Sequence, residues 1–173
     1  MTTATSSPAP PARVLRAPAP SVRFGLAEDA AELAQLSRPF VRSGALRERP
    51  VSLYAAQAAD FLVAVGPGGR LEGCVGLCVY PAGPAGCGAP AGVLYNFCVA
   101  GRQQGCGVGA VLLRTALTRA RALSLGALFT ATTGGGRLFQ RYGFTSTAAC
   151  LAPRPWAESL DPRRNARILA RAV

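Results

Sequence analysis

The sequence predicts one α/β domain, built on a twisted mixed sheet of about six to seven strands with helices on both faces. Three observations lead to this prediction. Short apolar runs typical of strands alternate with longer amphipathic segments typical of helices. A turn with glycine at positions 105, 107 and 109 joins an apolar strand directly to an apolar helix. Half of the 173 residues are hydrophobic, which is enough for one core without disulfide bonds.

The first 21 residues are rich in Pro, Ala, Ser and Thr, so they are expected to form a disordered tail ahead of a domain over residues 22–173. Acidic residues at 28 and 29 open a first helix, which Pro39 is expected to end or bend. A glycine-rich turn over 66–69 predicts a β-hairpin. The elements expected in this half are a strand over 22–26, helices from 28 and over 52–60, and strands over 61–65 and 70–80.

The second half begins with a Gly/Pro loop over 81–90 and continues with the glycine turn between an apolar strand and a helix. The elements expected there are strands over 93–100 and 127–132, helices over 108–123 and 137–142, and closing strands over 144–149 and 168–173.

The composition narrows the classes of function. The net charge is +11 and all 19 basic residues are arginine, but these are scattered without interleaved aromatic residues, so no nucleic-acid partner is expected. No apolar run approaches the ~20 residues of a membrane span. The six cysteines include no C-x-x-C pair and histidine is absent, so no metal site is expected. Reduced thiols of this kind are typical of a cytoplasmic protein.

The glycine turn is the strongest chemical signal. Glycines let backbone amides approach a ligand closely, and the first amides of the following helix lie at the positive end of its dipole, so the turn is suited to a pyrophosphate. A Walker loop is excluded because the chain has no lysine. A dinucleotide fingerprint requires an acidic residue about 20 residues further on, and none occurs between Glu72 and Glu158. A tight strand–helix turn without a ligand stays as the plain alternative.

Two motifs resemble the GNAT acetyltransferase superfamily. Its Q/R-x-x-G-x-G/A pattern matches Gln104, Gly107 and Gly109, and its aromatic residue ahead of a Gly-Phe pair matches Phe139 ahead of Gly143-Phe144. The resemblance implies acetyl-CoA as co-substrate, with its pantetheine arm along 97–99 and a backbone N–H near Val99 polarising the thioester. The implied coenzyme-binding residues are Phe97, Cys98, Val99, Gln104, Gly105, Cys106, Gly107, Val108, Gly109 and Ala110.

Further fragments resemble the acetyltransferase domain of N-acetylglutamate synthases. Arg38-Pro39-Phe40 with the following 44–49, Gly73-Cys74, 128–133 and 164–169 match segments of that family in order. The resemblance implies transfer of acetyl to the α-amine of an amino acid, L-glutamate, in the first step of arginine biosynthesis. Arginine suits the carboxylates of such an acceptor because its guanidinium is a planar, bidentate donor. The implied acceptor-binding residues are Arg49, Asn96, Thr132, Thr133, Arg164 and Asn165.

Departures from the family leave parts of the chemistry open. Val93 stands where the family often carries a glutamate, and Phe139 where many members carry a tyrosine acid. Tyr142 is the remaining candidate acid for the leaving thiolate, with a plain packing role as its alternative. A GNAT enzyme for another amine or a protein N-terminus, and a non-catalytic acyl-CoA-binding domain, also stay open. A homodimer is an open alternative to a monomer.

Overall fold

The computed structural model describes residues 20–82 and 89–173 of the chain. Residues 1–19 of the predicted tail and residues 83–88 of the predicted Gly/Pro loop lie outside the described residues. Among the helices of the described part, none is both long enough and apolar enough to cross a bilayer.

The described residues form a seven-stranded sheet in the order β1-β2-β3-β4-β5-β7-β6, with β4 and β5 parallel and the other neighbours antiparallel. The strands are β1 (Ser21–Phe24), β2 (Phe61–Val65), β3 (Leu71–Tyr80), β4 (Ala91–Val99), β5 (Ala127–Thr132), β6 (Thr145–Ser146) and β7 (Arg167–Ala172). The helices are α1 (Ala30–Arg42), α2 (Val51–Ala56), α3 (Val108–Ala122), α4 (Arg137–Arg141) and α5 (Arg154–Glu158).

Helices cover both faces of the sheet, as the sequence predicts. Successive residues of a strand point to opposite faces. On β2, Leu62 and Ala64 belong to the core that packs against α3 (the α3-side core), whereas Phe61 and Val63 belong to the core around Leu33 of α1 (the α1-side core). The α/β architecture is therefore the expected twisted sheet between two helical layers.

Strands β4 and β5 separate halfway along β4. Their parallel pairing covers only the first residues of β4 and ends at Leu94. Just beyond, the register between β3 and β4 shifts, so β4 carries one extra residue, and Asn96 there has a φ of 48°. Such a bulge bends a strand and increases its twist. The second half of β4 consequently leaves β5 and faces a cleft.

Two expectations about element boundaries are wrong, and of the two alternatives expected at Pro39, an end or a bend of the helix, the end does not occur. Helix α1 continues through Pro39 to Arg42, because the apolar residues of its last turns pack on the α1-side core and outweigh one missing backbone hydrogen bond. The helix expected over 52–60 is α2 followed by a separate 3₁₀ turn over Ala58–Asp60. The strand expected over 144–149 is only the two-residue β6.

Helix α5 is an element that the sequence analysis did not anticipate. It is only five residues long, and proline lies in its first turn. Its Trp156 packs against Phe129 of β5, with ring centroids 6.4 Å apart. This contact holds the 154–166 segment over the end of the cleft where β4 and β5 separate.

Candidate active site

The open edge of β4 presents backbone groups to the cleft. The N–H of Ala100 donates to the carbonyl of Glu72 on β3 at 2.8 Å. In the same trans peptide the carbonyl of Val99 points the opposite way, and it accepts a hydrogen bond from the side-chain amide of Gln104 at 3.2 Å. Because the N–H and C=O of one extended residue lie on the same side of a strand, the amide of Val99 also points toward the cleft.

The glycine turn provides an open concave surface of backbone amides. Gly105 and Gly107 have φ values of 79° and 91°, which favour glycine, and no atom lies within 4 Å of where a Cβ would stand on either. Helix α3 begins at Val108, directly after Gly107 as its N-cap. Its first-turn N–H groups have no acceptor within the helix and carry the positive end of its dipole. The turn therefore fits a pyrophosphate.

Gly109 has a different role within the turn. A Cβ at this position would lie 3.1 Å from a methyl carbon of Leu138 on α4 and 3.5 Å from the ring of Phe97. The first turn of α3 is thus in close contact with α4 and β4 at the base of the cleft. Phe97 in turn packs edge-on against Phe139, with ring centroids 5.4 Å apart.

The side chains of the remaining residues implied as coenzyme ligands differ in their exposure to solvent. The side chains of Cys98 and Val108 are buried in the two cores, so only their backbone groups are available to a ligand. The thiol of Cys98 lies 3.4 Å from that of Cys74, and this contact together with burial raises the pKa of Cys74. Cys106 is exposed at the tip of the turn, and Ala110 is half-buried in the first turn of α3.

A cavity of about 410 Å³ opens beside the cleft where β4 and β5 separate. It is formed by the loop after α1, the end of α2, the ends of β3 and β5, the middle of β4, and the 156–166 segment. Its charged lining residues are Arg47, Arg49, Asp60, Asp161 and Arg164; its aromatic ones are Tyr80, Tyr95 and Trp156.

Both arginines implied as carboxylate ligands line this cavity. The guanidinium of Arg49 lies over the ring of Tyr95, 4.7 Å from the ring centroid, and donates to the side-chain carbonyl of Gln57 at 3.2 Å. Arg164 donates through one nitrogen to the carbonyls of Gly44 and Ala45, at 2.8 and 2.7 Å. Arg164 therefore also fastens the loop after α1 to the 156–166 segment.

The other residues implied at the acceptor site differ in how they lie relative to the cavity. Thr133 and Asn165 line the cavity. The backbone of Asn96 borders it, but its side-chain amide donates to Ser37 at 2.9 Å and accepts from Tyr54 at 3.3 Å inside the α1-side core. Thr132 is not among the lining residues, and its hydroxyl accepts from the N–H of Gly134 at 3.2 Å.

Tyr142 lies outside the acceptor cavity, at the end of α4. Its hydroxyl accepts from Arg114 of α3 at 3.4 Å, its carbonyl accepts from Arg171 of β7, and its ring packs against the α3-side core. These contacts account for Tyr142 as a packing residue between helix and sheet. Its role as a proton donor stays a prediction.

Two candidate functional residues in the cavity, Asp60 and Tyr95, were not predicted from the sequence. Tyr95 of β4 directs its hydroxyl to a carboxylate oxygen of Asp60 at 3.4 Å. Burial, and then the negative charge of Asp60, raises the pKa of Tyr95 well above its usual range, so the phenol stays protonated. Gly76, opposite Tyr95 on β3, leaves room for the tyrosine ring, because a side chain there would overlap it; this relation exists only once β3 and β4 are paired.

Comparison with known protein families identifies the family to which this domain belongs. Residues 28–144 match the model of the acetyltransferase (GNAT) family, and this span is more than half of the chain. The chain belongs to the GNAT acetyltransferase family. It is therefore an acyltransferase domain that uses CoA.

Solved GNAT structures agree with this fold. N-acetylglutamate synthase from Neisseria gonorrhoeae, complexed with coenzyme A and N-acetyl-glutamate, is 25% identical with a TM-score of 0.78. The match covers 88% of this chain but 34% of the synthase, so the chain spans about a third of that protein's length. Rv2747 from Mycobacterium tuberculosis, in complex with CoA, is 20% identical with a TM-score of 0.73, covering 89% of this chain and 99% of Rv2747.

Other neighbours share the architecture alone. Ard1 from Thermoplasma volcanium is 17% identical with a TM-score of 0.67, over 90% of this chain and 98% of Ard1. A search of curated protein sequences found no match. The family and the coenzyme are thus established, and the acceptor has to be inferred from the cavity.

Proposed function

We propose that this GNAT domain transfers acetyl from acetyl-CoA to the α-amine of an amino acid, L-glutamate. The observation that carries the proposal is the position of Arg49 and Arg164, which are far apart in the chain yet line one cavity beside the open edge of β4. The similarity to a synthase complexed with N-acetyl-glutamate supports the same acceptor.

The charge of the cavity favours an acceptor with more than one carboxylate. Three arginines and two aspartates line it. Asp161 is engaged locally, because its carboxylate accepts the N–H of Arg163 at 3.0 Å. Arg49 is held by the neutral Gln57 and by the face of Tyr95, so its charge is available to an anionic ligand. A polyamine would be repelled by this set of charges.

The backbone supplies the rest of the proposed reaction. With the pyrophosphate on the turn and the pantetheine along β4, the thioester lies at the open edge of β4, toward the cavity. The amide of Val99 points into the cleft there and donates a hydrogen bond to the thioester oxygen, on which negative charge develops during attack. Holding amine and thioester side by side removes most of the entropy cost of the bimolecular step.

Substitution of the two arginines tests the proposal. Losing a charge-assisted contact costs about 1.5–3 kcal/mol, and each 1.4 kcal/mol is tenfold, so Arg49→Ala and Arg164→Ala should each lower kcat/KM for glutamate by roughly one to two orders of magnitude. The affinity for acetyl-CoA should change by less than about twofold, because neither residue touches the turn. Lysine at either position should rescue only part of the loss.

Two exposed arginines close by provide controls. Arg42 ends α1 and Arg163 precedes Arg164, and neither lines the cavity. Arg42→Ala and Arg163→Ala should leave kcat/KM unchanged. Because Arg164 also fastens the loop after α1, thermal unfolding of each variant separates lost binding from lost stability. Normal glutamate kinetics in both Arg49→Ala and Arg164→Ala would refute the assignment.

A further inference from the structure

Tyr95 joins two opposite charges in the acceptor cavity. The Arg49 guanidinium lies over its ring, and the Asp60 carboxylate lies at its hydroxyl. The two charged groups come from the loop before α2 and from the turn before β2, and the ring of one β4 residue separates them. A positive and a negative group are thereby held within reach of one small molecule.

Neither charge is neutralised by an ion pair. Within residues 20–82 and 89–173, the salt bridges are Arg23 with Asp29, Arg70 with Glu32, and Arg154 with Glu158. Arg49 is bonded to an amide and Asp60 to a phenol, both of which are neutral donors or acceptors. Two partly buried charges without ion-pair partners cost free energy unless a ligand pairs with them.

An α-amino acid complements this arrangement, because it carries a carboxylate and an ammonium on one carbon. With the carboxylate on Arg49, the ammonium faces Asp60. The protonated hydroxyl of Tyr95 occupies one oxygen of Asp60 at 3.4 Å, a long contact that leaves the carboxylate free to accept from a cationic N–H. The ammonium would gain the stronger, charge-assisted bond.

We propose that Asp60 binds the α-ammonium of the acceptor and that Tyr95 is the positioning residue that orients its carboxylate. This inference rests on the proposed function and names the group in the same cavity that recognises the nucleophilic end of the substrate. It also explains how an arginine-rich cavity accepts an amine that arrives as a cation. Asp60 selects zwitterionic acceptors over dicarboxylates that lack the amine.

Binding of two ligands that differ at this nitrogen tests the role of Asp60. Glutamate carries the ammonium, and N-acetylglutamate carries a neutral amide in its place. With CoA present, calorimetry should show that Asp60→Asn weakens glutamate binding by about ten- to a hundredfold and leaves N-acetylglutamate within about twofold. Arg49→Ala should weaken both ligands. Tyr95→Phe should weaken glutamate selectively, by a smaller factor than Asp60→Asn.

Glu158→Gln is the matched control, since Glu158 is an exposed carboxylate outside the cavity, and it should bind both ligands normally. Equal weakening of both ligands by Asp60→Asn, or no weakening of either, overturns the inference while the proposed function stands. If the wild type binds neither ligand but acetylates a cationic amine, the proposed function falls. In that case an unchanged kcat/KM for that amine in Asp60→Asn overturns the inference as well.

Discussion

The glycine turn and the acceptor cavity are built in opposite ways. The turn consists of six consecutive residues, and its binding groups are backbone amides on glycines and on the first turn of α3. The cavity takes its binding groups from side chains on several stretches of chain between residues 45 and 166. The coenzyme site therefore depends on local backbone geometry, whereas the acceptor site depends on how distant segments pack.

This difference predicts that single substitutions affect one site and spare the other. The turn should be sensitive to added charge or bulk, and at its positions other than glycine it should be indifferent to which small side chain it carries. The cavity should be sensitive to the identity of each charged side chain. Variants of the two regions should consequently separate coenzyme affinity from acceptor affinity.

The largest effect is expected from a negative charge in the turn. Cys106 is exposed and its φ is not positive, so Cys106→Asp adds a charge without straining the backbone. Gly107→Asp would add strain as well as charge, because φ is 91° at that position. Placing like charges together costs several kcal/mol, so the affinity for acetyl-CoA should fall by at least about a hundredfold. Calorimetry measures this directly.

Cys150→Asp is the control for that change, because Cys150 is an exposed cysteine in the 3₁₀ turn over Ala149–Leu151, away from the glycine turn. It should bind acetyl-CoA like the wild type. A folded Cys106→Asp variant with wild-type affinity would show that the pyrophosphate lies elsewhere.

The same contrast explains how far the sequence could be interpreted. Strands over 61–65 and 127–132 have the bounds that the sequence predicts, and α3 ends within one residue of its predicted end, because each is an uninterrupted local pattern. The glycine turn was found for the same reason. The bulge on β4 has no such local pattern, since it requires β3, β4 and β5 to be paired.

The cavity could be predicted only in part. Arg49 and Arg164 came from resemblance, and they do line one cavity. Asp60 and Tyr95 carry no local signal that separates them from any aspartate before a strand or any tyrosine within one. Asn96 looked like a polar group free for a ligand, but its positive φ at the bulge turns its amide toward Ser37. Such placements arise from tertiary packing rather than from local pattern.

The smallest effect on catalysis is expected from the cysteines nearest the coenzyme. Cys98 faces the α1-side core and Cys106 has no positively charged partner among the described residues, so neither is activated as a nucleophile. Cys98→Ala and Cys106→Ala should retain most of the activity, although the first leaves a small cavity and should lose about 1 kcal/mol of stability.

Direct transfer in a ternary complex also predicts sequential kinetics. Mass spectrometry of the protein after incubation with acetyl-CoA should show no added acetyl group. A ping-pong pattern, or acetyl on either thiol, would mean that the turn region contributes a side-chain nucleophile after all, and the distinction between backbone and side-chain sites would fail.

The central claim is that the cavity selects an amino acid that carries a second carboxylate. A screen of all amino acids and a panel of cationic amines, with acetyl-CoA as donor and CoA release as the readout, tests it most directly. We predict the highest kcat/KM for glutamate, with aspartate next, and no turnover of polyamines. Preference for a cationic amine over both acidic amino acids, or coenzyme binding without turnover of any acceptor, would contradict the claim.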